Sequence, residues 1–226
     1  MVSVERRIMP SIVFASQNPG KIRELQSLTQ GLNLDIIGLN DLGRAFDEPI
    51  EDGNTFLANA TIKAVQYAKE TGHHCLADDS GLIVDALDGK PGVISSHFAF
   101  DGDTEGQAAQ LSRQQRDDAN NERLLRDLES VPDEKRTARF TCTMVLASPE
   151  GLVLANTQGN FEGRIGQVGE VPRGENGFGY DPLFLVGPDF DRTSAQMSPD
   201  EKNAVSHRAK AVAAMIETLG SIFKDS

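Results

Sequence analysis

The stretch Cys75-Leu76-Ala77-Asp78-Asp79-Ser80-Gly81-Leu82-Ile83-Val84 sets two adjacent carboxylates between two apolar runs. Cys75 to Ala77 reads as the end of a buried strand. Successive strand side chains point to opposite faces, so Asp78 and Asp79 are expected on opposite sides, only one of them looking into a site. Gly81 is expected to let the backbone turn tightly before the chain returns to apolar residues at Leu82. Two readings of the acidic pair stay open on these residues alone. One is an Asx-type turn, in which Asp bonds its own backbone; the other is a divalent-cation or acid/base site.

Upstream, the apolar run Ser11-Ile12-Val13-Phe14-Ala15 leads directly into Ser16-Gln17-Asn18-Pro19-Gly20-Lys21. The run is of strand type, and a helix is predicted from Pro19 to about Gln30, with Asn18 as N-cap and Ile22, Leu25 and Leu28 on one apolar stripe. A strand, a polar turn and a helix N-terminus make an anion site, because free N–H groups and the positive end of the helix dipole meet there and Lys21 can add its ammonium. The same pattern also serves as an ordinary βα connection. The spacing of a Walker P-loop is absent. Leu34 to Leu39 predicts a second strand, and Thr55 to Thr71 a helix with Phe56, Ala60, Ala64, Tyr67 and Ala68 toward the core and Gly72 as its stop. On that helix Asn59 and Lys63 lie one turn apart, with Glu51 just upstream. They form either a solvated face or one edge of a cleft.

Downstream, Asp85 to Gly92 is a Gly- and Pro-rich loop, and Val93 to Phe100 reads as apolar alternation. Thr104 to Leu128 is polar and helical, broken at the charged run Arg113 to Asp118. It is read as a helix hairpin with a solvated outer surface. Arg139 to Ala147 alternates as a half-buried strand, Pro149-Glu150-Gly151 turns it, and Leu152 to Thr157 runs back, with a further strand around Gly159 to Ile165. Adjacent antiparallel strands mean that the sheet is mixed. In Arg173-Gly174-Glu175-Asn176-Gly177-Phe178-Gly179-Tyr180-Asp181-Pro182, the glycines bring backbone close to a flat ligand. Phe178 or Tyr180 could stack on a base, or both could plug the core. Leu183 to Val186 resumes as a strand. Ser198-Pro199-Asp200-Glu201 is a capping box that starts a helix, with the cations Lys202, His207 and Arg208 within two turns.

The 226 residues carry a net charge of −12, which argues against a protein that grips nucleic acid non-specifically, since phosphate backbones demand a basic stripe. No apolar run approaches the roughly 18 to 20 residues of a membrane span. Met1 to Pro10 carries no signal-peptide pattern, so residues 1–10 are expected to be an N-terminal extension, residues 11–226 the folded domain, and the chain cytoplasmic. The two cysteines, Cys75 and Cys142, sit in separate apolar runs and are read as buried reduced thiols.

Taken together and in this order, these motifs resemble the HAM1/RdgB family of inosine triphosphate pyrophosphatases. The resemblance runs from Ser16 to Arg208. It rests on Ser16 to Lys21, Glu51-Asp52-Gly53-Asn54-Thr55-Phe56 with Asn59 and Lys63, Leu76 to Gly81, Pro91-Gly92-Val93, Gly177 to Pro182, and Glu201-Lys202-Asn203 leading into Ser206-His207-Arg208. It implies a single elongated α/β domain, a mixed twisted sheet flanked by helices with a substrate cleft between two lobes, and a homodimer. It also implies a Mg²⁺-dependent enzyme that cleaves ITP, dITP or XTP between the α- and β-phosphates, giving monophosphate and pyrophosphate. Residue by residue, the resemblance makes Asp79 the proton acceptor and, with Glu51, a metal ligand. Ser80 and the turn Ser16, Gln17, Asn18, Pro19, Gly20 and Lys21 become substrate contacts. Phe178, Gly179, Tyr180 and Asp181 form the base-side loop, and Lys202, His207 and Arg208 the wall that reads the purine. Ser16 stands where the family more often has Thr, and His97 where it more often has Arg. The alternatives are a Maf-like pyrophosphatase for pyrimidine or modified nucleotides and a nucleotide sensor without turnover.

Overall fold

The structure, a computed structural model, describes residues 11–16, 18–30 and 35–223. The expected N-terminal extension and Gln17 lie outside them, as does Leu34 of the second predicted strand. One six-stranded sheet organises the chain, in the order β2-β1-β3-β4-β5-β6. β1 (Ile12–Phe14) pairs parallel with β2 (Ile36–Gly38) and with β3 (His74–Val84), while β4 (Thr137–Ala147), β5 (Val153–Ile165) and β6 (Phe184–Val186) continue antiparallel. The mixed sheet is as the hairpin at Pro149 to Gly151 requires.

Side-chain alternation in the strands sorts the core between the two faces. On one face, Phe14, Leu76, Cys142, Met144 and Leu146 are covered by α1 (Pro19–Thr29) and α6 (His207–Ile222) through Leu25, Val212 and Met215. On the other, Val13, Cys75, Ala77, Val145 and Ala147 lie under α2 (Phe56–Thr71), whose Ala60, Ala64 and Ala68 allow close approach. A third cluster gathers around Leu82, Phe98, Leu124, Phe140, Phe161, Tyr180 and Phe184 at the far end of the long strands. Helix ends follow local chemistry: Asn18 caps α1 by accepting the N–H of Gly20, Thr55 caps α2, Gly72 ends it in the left-handed region, and Ser198 caps α5 (Pro199–Val205).

Several expectations are corrected. β3 runs straight through Gly81 with no turn. A Cβ there would stand 2.6 Å from the Gly92 carbonyl and 3.0 Å from the Phe56 ring, and closer still to the Ser95 hydroxyl, so glycine serves close packing. Val93 to Phe100 is not a strand but part of a 3₁₀ stretch, Gly92–Phe100. The segments Leu152 to Thr157 and Gly159 to Ile165 belong to one 13-residue strand, β5. In the polar segment the break falls at residues 110–112, between the four-residue α3 (Gly106–Ala109) and α4 (Arg113–Asp127). The charged run Arg113 to Asp118 therefore opens a helix instead of interrupting one, because Ser112 and Gln115 form a capping box.

Candidate active site

The site lies where β1 stops. Among the described residues β1 pairs with β3 only over His74 to Leu76, so from Ala77 onward β3 has no β1 partner along that edge. The chain leaving β1 turns through Ser16 and Asn18 into the N-terminus of α1. The carboxyl end of a parallel strand facing a helix N-terminus is where open α/β sheets bind ligands. Asp78 and Asp79 flank that opening from opposite faces of the sheet, as the strand period demands.

On the α2 face, Asp79 accepts from the Asn59 amide (3.3 Å) and from Lys63 Nζ (3.4 Å). Lys63 also bonds Glu51 Oε2 at 2.6 Å, so one ammonium joins the two carboxylates. Asn59 is 3% exposed and Lys63 9%, so they are not a solvated face; both side chains turn inward to Asp79. Asn59 Oδ1 accepts the N–H of Gly53 (2.8 Å), tying the loop that carries Glu51 to the strand that carries Asp79. Burial, only partly offset by Lys63 and Lys21, raises the Asp79 pKa above the usual aspartate value. Burial disfavours the Lys63 charge too, but Asp79 and Glu51 outweigh it and hold the ammonium above the ordinary lysine value.

On the opposite face, Asp78 bonds Lys21 Nζ (2.9 Å) and Arg208 Nη2 (3.2 Å). Arg208 reaches Ser80 Oγ at 3.1 Å and also pairs with Glu24. Although burial opposes ionisation of Asp78, Lys21 and Arg208 hold its pKa far below the usual carboxylate range. Lys21, expected to be free for an anion, thus starts from an ion pair. Ser80 lies on this face and not beside Asp79. Ser16 Oγ accepts the N–H of Asn18 at 3.2 Å, which shapes the turn.

The base-side loop and the expected far wall form the third part. Phe178 is half-buried beside Gly20, where an added Cβ would come within 3.1 Å of its ring. Tyr180 is corrected: its ring is in the core and its hydroxyl donates to the Ser95 carbonyl (2.7 Å), so of the two aromatics only Phe178 faces the opening. Asp181 is buried too. It accepts from the Phe178 N–H (2.9 Å), Ser194 (2.8 Å) and Lys202 Nζ (2.6 Å), and so organises the loop and aims Lys202. Lys202 Nζ lies 5.5 Å from the Phe178 ring centre. His207 begins a separate helix, α6, which Ser206 caps, and stacks on Phe140. Its Nδ1 is buried without a hydrogen-bond partner. Burial, reinforced by Arg208 and Lys202, holds its pKa well below the ordinary imidazole value, so it is neutral at pH 7. The polar segment, expected as a helix hairpin with a solvated outer surface, reaches the site through α4: Arg113 Nη1 donates to Asn18 Oδ1 (3.0 Å), Asp117 accepts the Gly179 N–H (3.1 Å), and Asn121 donates to the Gly179 carbonyl (3.1 Å).

The Ham1 family model matches residues 12–218. The chain belongs to the Ham1 family. Among its relatives, the dITP/XTP pyrophosphatase of Geobacter sulfurreducens is 45% identical over 94% of this chain and 98% of its own length. That of Anaeromyxobacter dehalogenans is 41% identical over 93% and 97%. The structure of a HAM1 protein from Coxiella burnetii superposes with a TM-score of 0.75 at 39% identity, covering 96% of this chain and all of that one. A mixed six-stranded sheet with flanking helices is therefore the Ham1-family fold, reached here by a chain whose acidic pair stands at its centre.

No group of three or more His, Cys, Asp or Glu side chains among the described residues is placed to hold a metal ion. Glu51 and Asp79 nevertheless have the chemistry of ligands to a hard divalent cation, which can be bound through one or two carboxylates completed by water and phosphate oxygens. A cation, the Lys63 ammonium, already stands between them.

Proposed function

We propose that the chain is a pyrophosphohydrolase that removes deaminated purine nucleoside triphosphates, dITP, XTP and ITP, by releasing monophosphate and pyrophosphate. The observation that carries the proposal is the Glu51–Lys63–Asp79 constellation at the end of β1, facing the N-terminus of α1, in a chain matched nearly end to end by relatives named for this activity.

The triphosphate lies against the turn Ser16 to Lys21, where the α1 N-terminus favours negative charge. Asp79 takes the proton of the attacking water at the α-phosphorus. Its raised pKa makes it a stronger base than an exposed aspartate, while the adjacent Lys63 keeps a share of it ionised. Asn59 holds Asp79 and the Glu51 loop in register, so positioning and charge neutralisation supply most of the catalysis required. Glu51 and Asp79 would hold Mg²⁺, which when bound neutralises charge on the phosphates. Phe178 stacks on the base. Lys202, His207 and Arg208 form the wall that distinguishes a 6-keto oxygen from an amine, and leaving such donors unpaired lowers affinity by about one to two decades. We extend the reading to a cytoplasmic homodimer. No described helix is long and apolar enough to cross a membrane.

A nucleotide panel read out as pyrophosphate tests this. Turnover of dITP and XTP exceeding that of ATP, dUTP and methylated UTP is expected, dependent on Mg²⁺. Asp79→Asn is expected to abolish it with binding retained. Equal turnover across the panel, or release of orthophosphate instead, would sink the proposal. Sedimentation velocity decides the dimer.

A further inference from the structure

Arg113, the first residue of α4, touches both walls of the cleft. Its guanidinium carbon lies 4.5 Å from the centre of the Phe178 ring, and its Nη1 donates to Asn18 Oδ1 at 3.0 Å. That same oxygen accepts the Gly20 N–H (2.9 Å) as the N-cap of α1. A little further along α4, Asp117 and Asn121 hold the N–H and the carbonyl of Gly179, the residue after Phe178. The stacked pair is therefore fixed from the loop side as well as from the helix side.

The charge balance around this side chain is what singles it out. Lys21 is paired with Asp78 at 2.9 Å and Lys202 with Asp181 at 2.6 Å. Among the described residues Arg113 has only Asp117 within ion-pair reach, at the outer limit of 4.0 Å, and its side chain is 44% exposed. A guanidinium has five N–H donors, and the bond to Asn18 uses one. A positive charge so weakly compensated at the positive end of a helix dipole is unfavourable until an anion arrives. The free fork of an arginine matches the oxygens of a phosphate, and its stack on Phe178 holds it ready for that contact.

We propose that Arg113 is a substrate-binding residue, which donates to the triphosphate of a nucleotide held at the α1 N-terminus while remaining against Phe178. This rests on the reading above that the cleft takes a nucleoside triphosphate. α4 is then part of the substrate site rather than an outer surface.

The test uses the full chain with Arg113→Ala and Arg113→Lys. For the alanine variant KM for dITP is expected to rise about tenfold, with kcat nearly unchanged, as for a contact made equally in ground and transition states. The inhibition constant of inorganic tripolyphosphate should rise by a similar factor, and that of inosine, which has no phosphate, should not move. The lysine variant recovers part of the loss, since it keeps the charge and forfeits the fork. An unchanged or lowered KM overturns the proposal. So does a KM rise matched by weaker inosine inhibition with tripolyphosphate unaffected, which would mean that Arg113 only shapes Phe178. If the wild-type chain fails to hydrolyse dITP, the functional reading fails. Calorimetric titration with tripolyphosphate still decides Arg113, because equal binding by wild type and Arg113→Ala refutes its role.

Discussion

Replacing Lys63 with methionine removes the one ammonium that Glu51 and Asp79 share while keeping most of the buried aliphatic stem that reaches from α2 toward β3. Lys63 Nζ stands 2.6 Å from Glu51 and 3.4 Å from Asp79, and only about a tenth of the Lys63 and Asp79 side chains is open to water. At such distances, with an effective dielectric of about 20, a unit charge pair is worth about 4 kcal/mol. At about 1.4 kcal/mol per pKa unit, loss of Lys63 should lift Asp79 by about 2–3 units. The starting value is already raised by burial, and the Glu51 charge pushes in the same direction. Asp79 accepts a proton only when ionised, so the acidic limb of the kcat/KM profile should move to higher pH by that amount. Part of the lost activity returns in alkaline buffer. Pyrophosphate release measured at constant ionic strength from about pH 5 to about pH 10 gives both profiles. Lys63→Arg, which retains a charge, should leave the limb near its wild-type position. A methionine variant whose acidic limb stays where it was would refute Asp79 as the base under Lys63 control.

Three further outcomes are expected. Phe178→Leu should raise KM for dITP about tenfold through lost stacking, with little change in Tm, whereas Tyr180→Phe should leave KM unchanged and lower stability by about 0.5–1.5 kcal/mol because the Ser95 carbonyl loses the shorter of its bonds and keeps the one from the Asn120 amide; the reverse pattern would reassign the two aromatics. Gly81→Ala should lower Tm by about 2–12 °C, since its methyl meets the Gly92 carbonyl and the Ser95 hydroxyl that holds the Leu82 N–H; a melting curve identical to wild type would contradict the packing. His207 is held neutral when folded, so below about pH 6.5 the unfolded chain takes up a proton there that the folded chain refuses, and stability falls with falling pH by up to about 1.4 kcal/mol per unit. His207→Gln should flatten that slope between about pH 7 and about pH 5 in urea unfolding, and an unaltered slope would mean that the buried imidazole is charged.

Much of the architecture was legible because its determinants are local. The Asn18 cap, the Thr55 to Gly72 helix limits, the alternation of Arg139 to Ala147 and the capping box at Ser198 each depend on residues within a few positions, and each element stands where its signal predicted. What escaped depends on partners distant in the chain. Asn59 and Lys63 have the spacing of any solvated helical face until β3 brings Asp79 beneath them. Arg113 reads as surface charge until α4 carries it to Phe178, 65 positions along. Gly81 looks like a turn because nothing nearby reveals that Ser95 and Gly92 press against it. Phe178 and Tyr180, two residues apart in one glycine-rich loop, take opposite fates for the same reason, since only the position of Ser95 decides which ring is anchored inside.

The separation of Asp78 from Asp79 shows how one short strand creates the site. β1 has three residues and β3 has eleven, so β3 outruns its parallel neighbour just before the acidic pair. Had β1 continued for another turn of the pleat, its backbone would have paired with the β3 edge beside Asp78 and Asp79 and closed the gap between them and the α1 N-terminus. Because it stops, the strand period places one carboxylate on each lip of the gap. Asp78, neutralised by Lys21 and Arg208, fixes the cationic side, and Asp79, held by a lysine that also bonds Glu51, is left as the basic one. Two identical side chains in adjacent positions thereby acquire pKa values displaced in opposite directions. Exchanging their roles would require a one-residue slip of β3 against β4, which would turn every apolar residue from Cys75 to Leu82 to the wrong face.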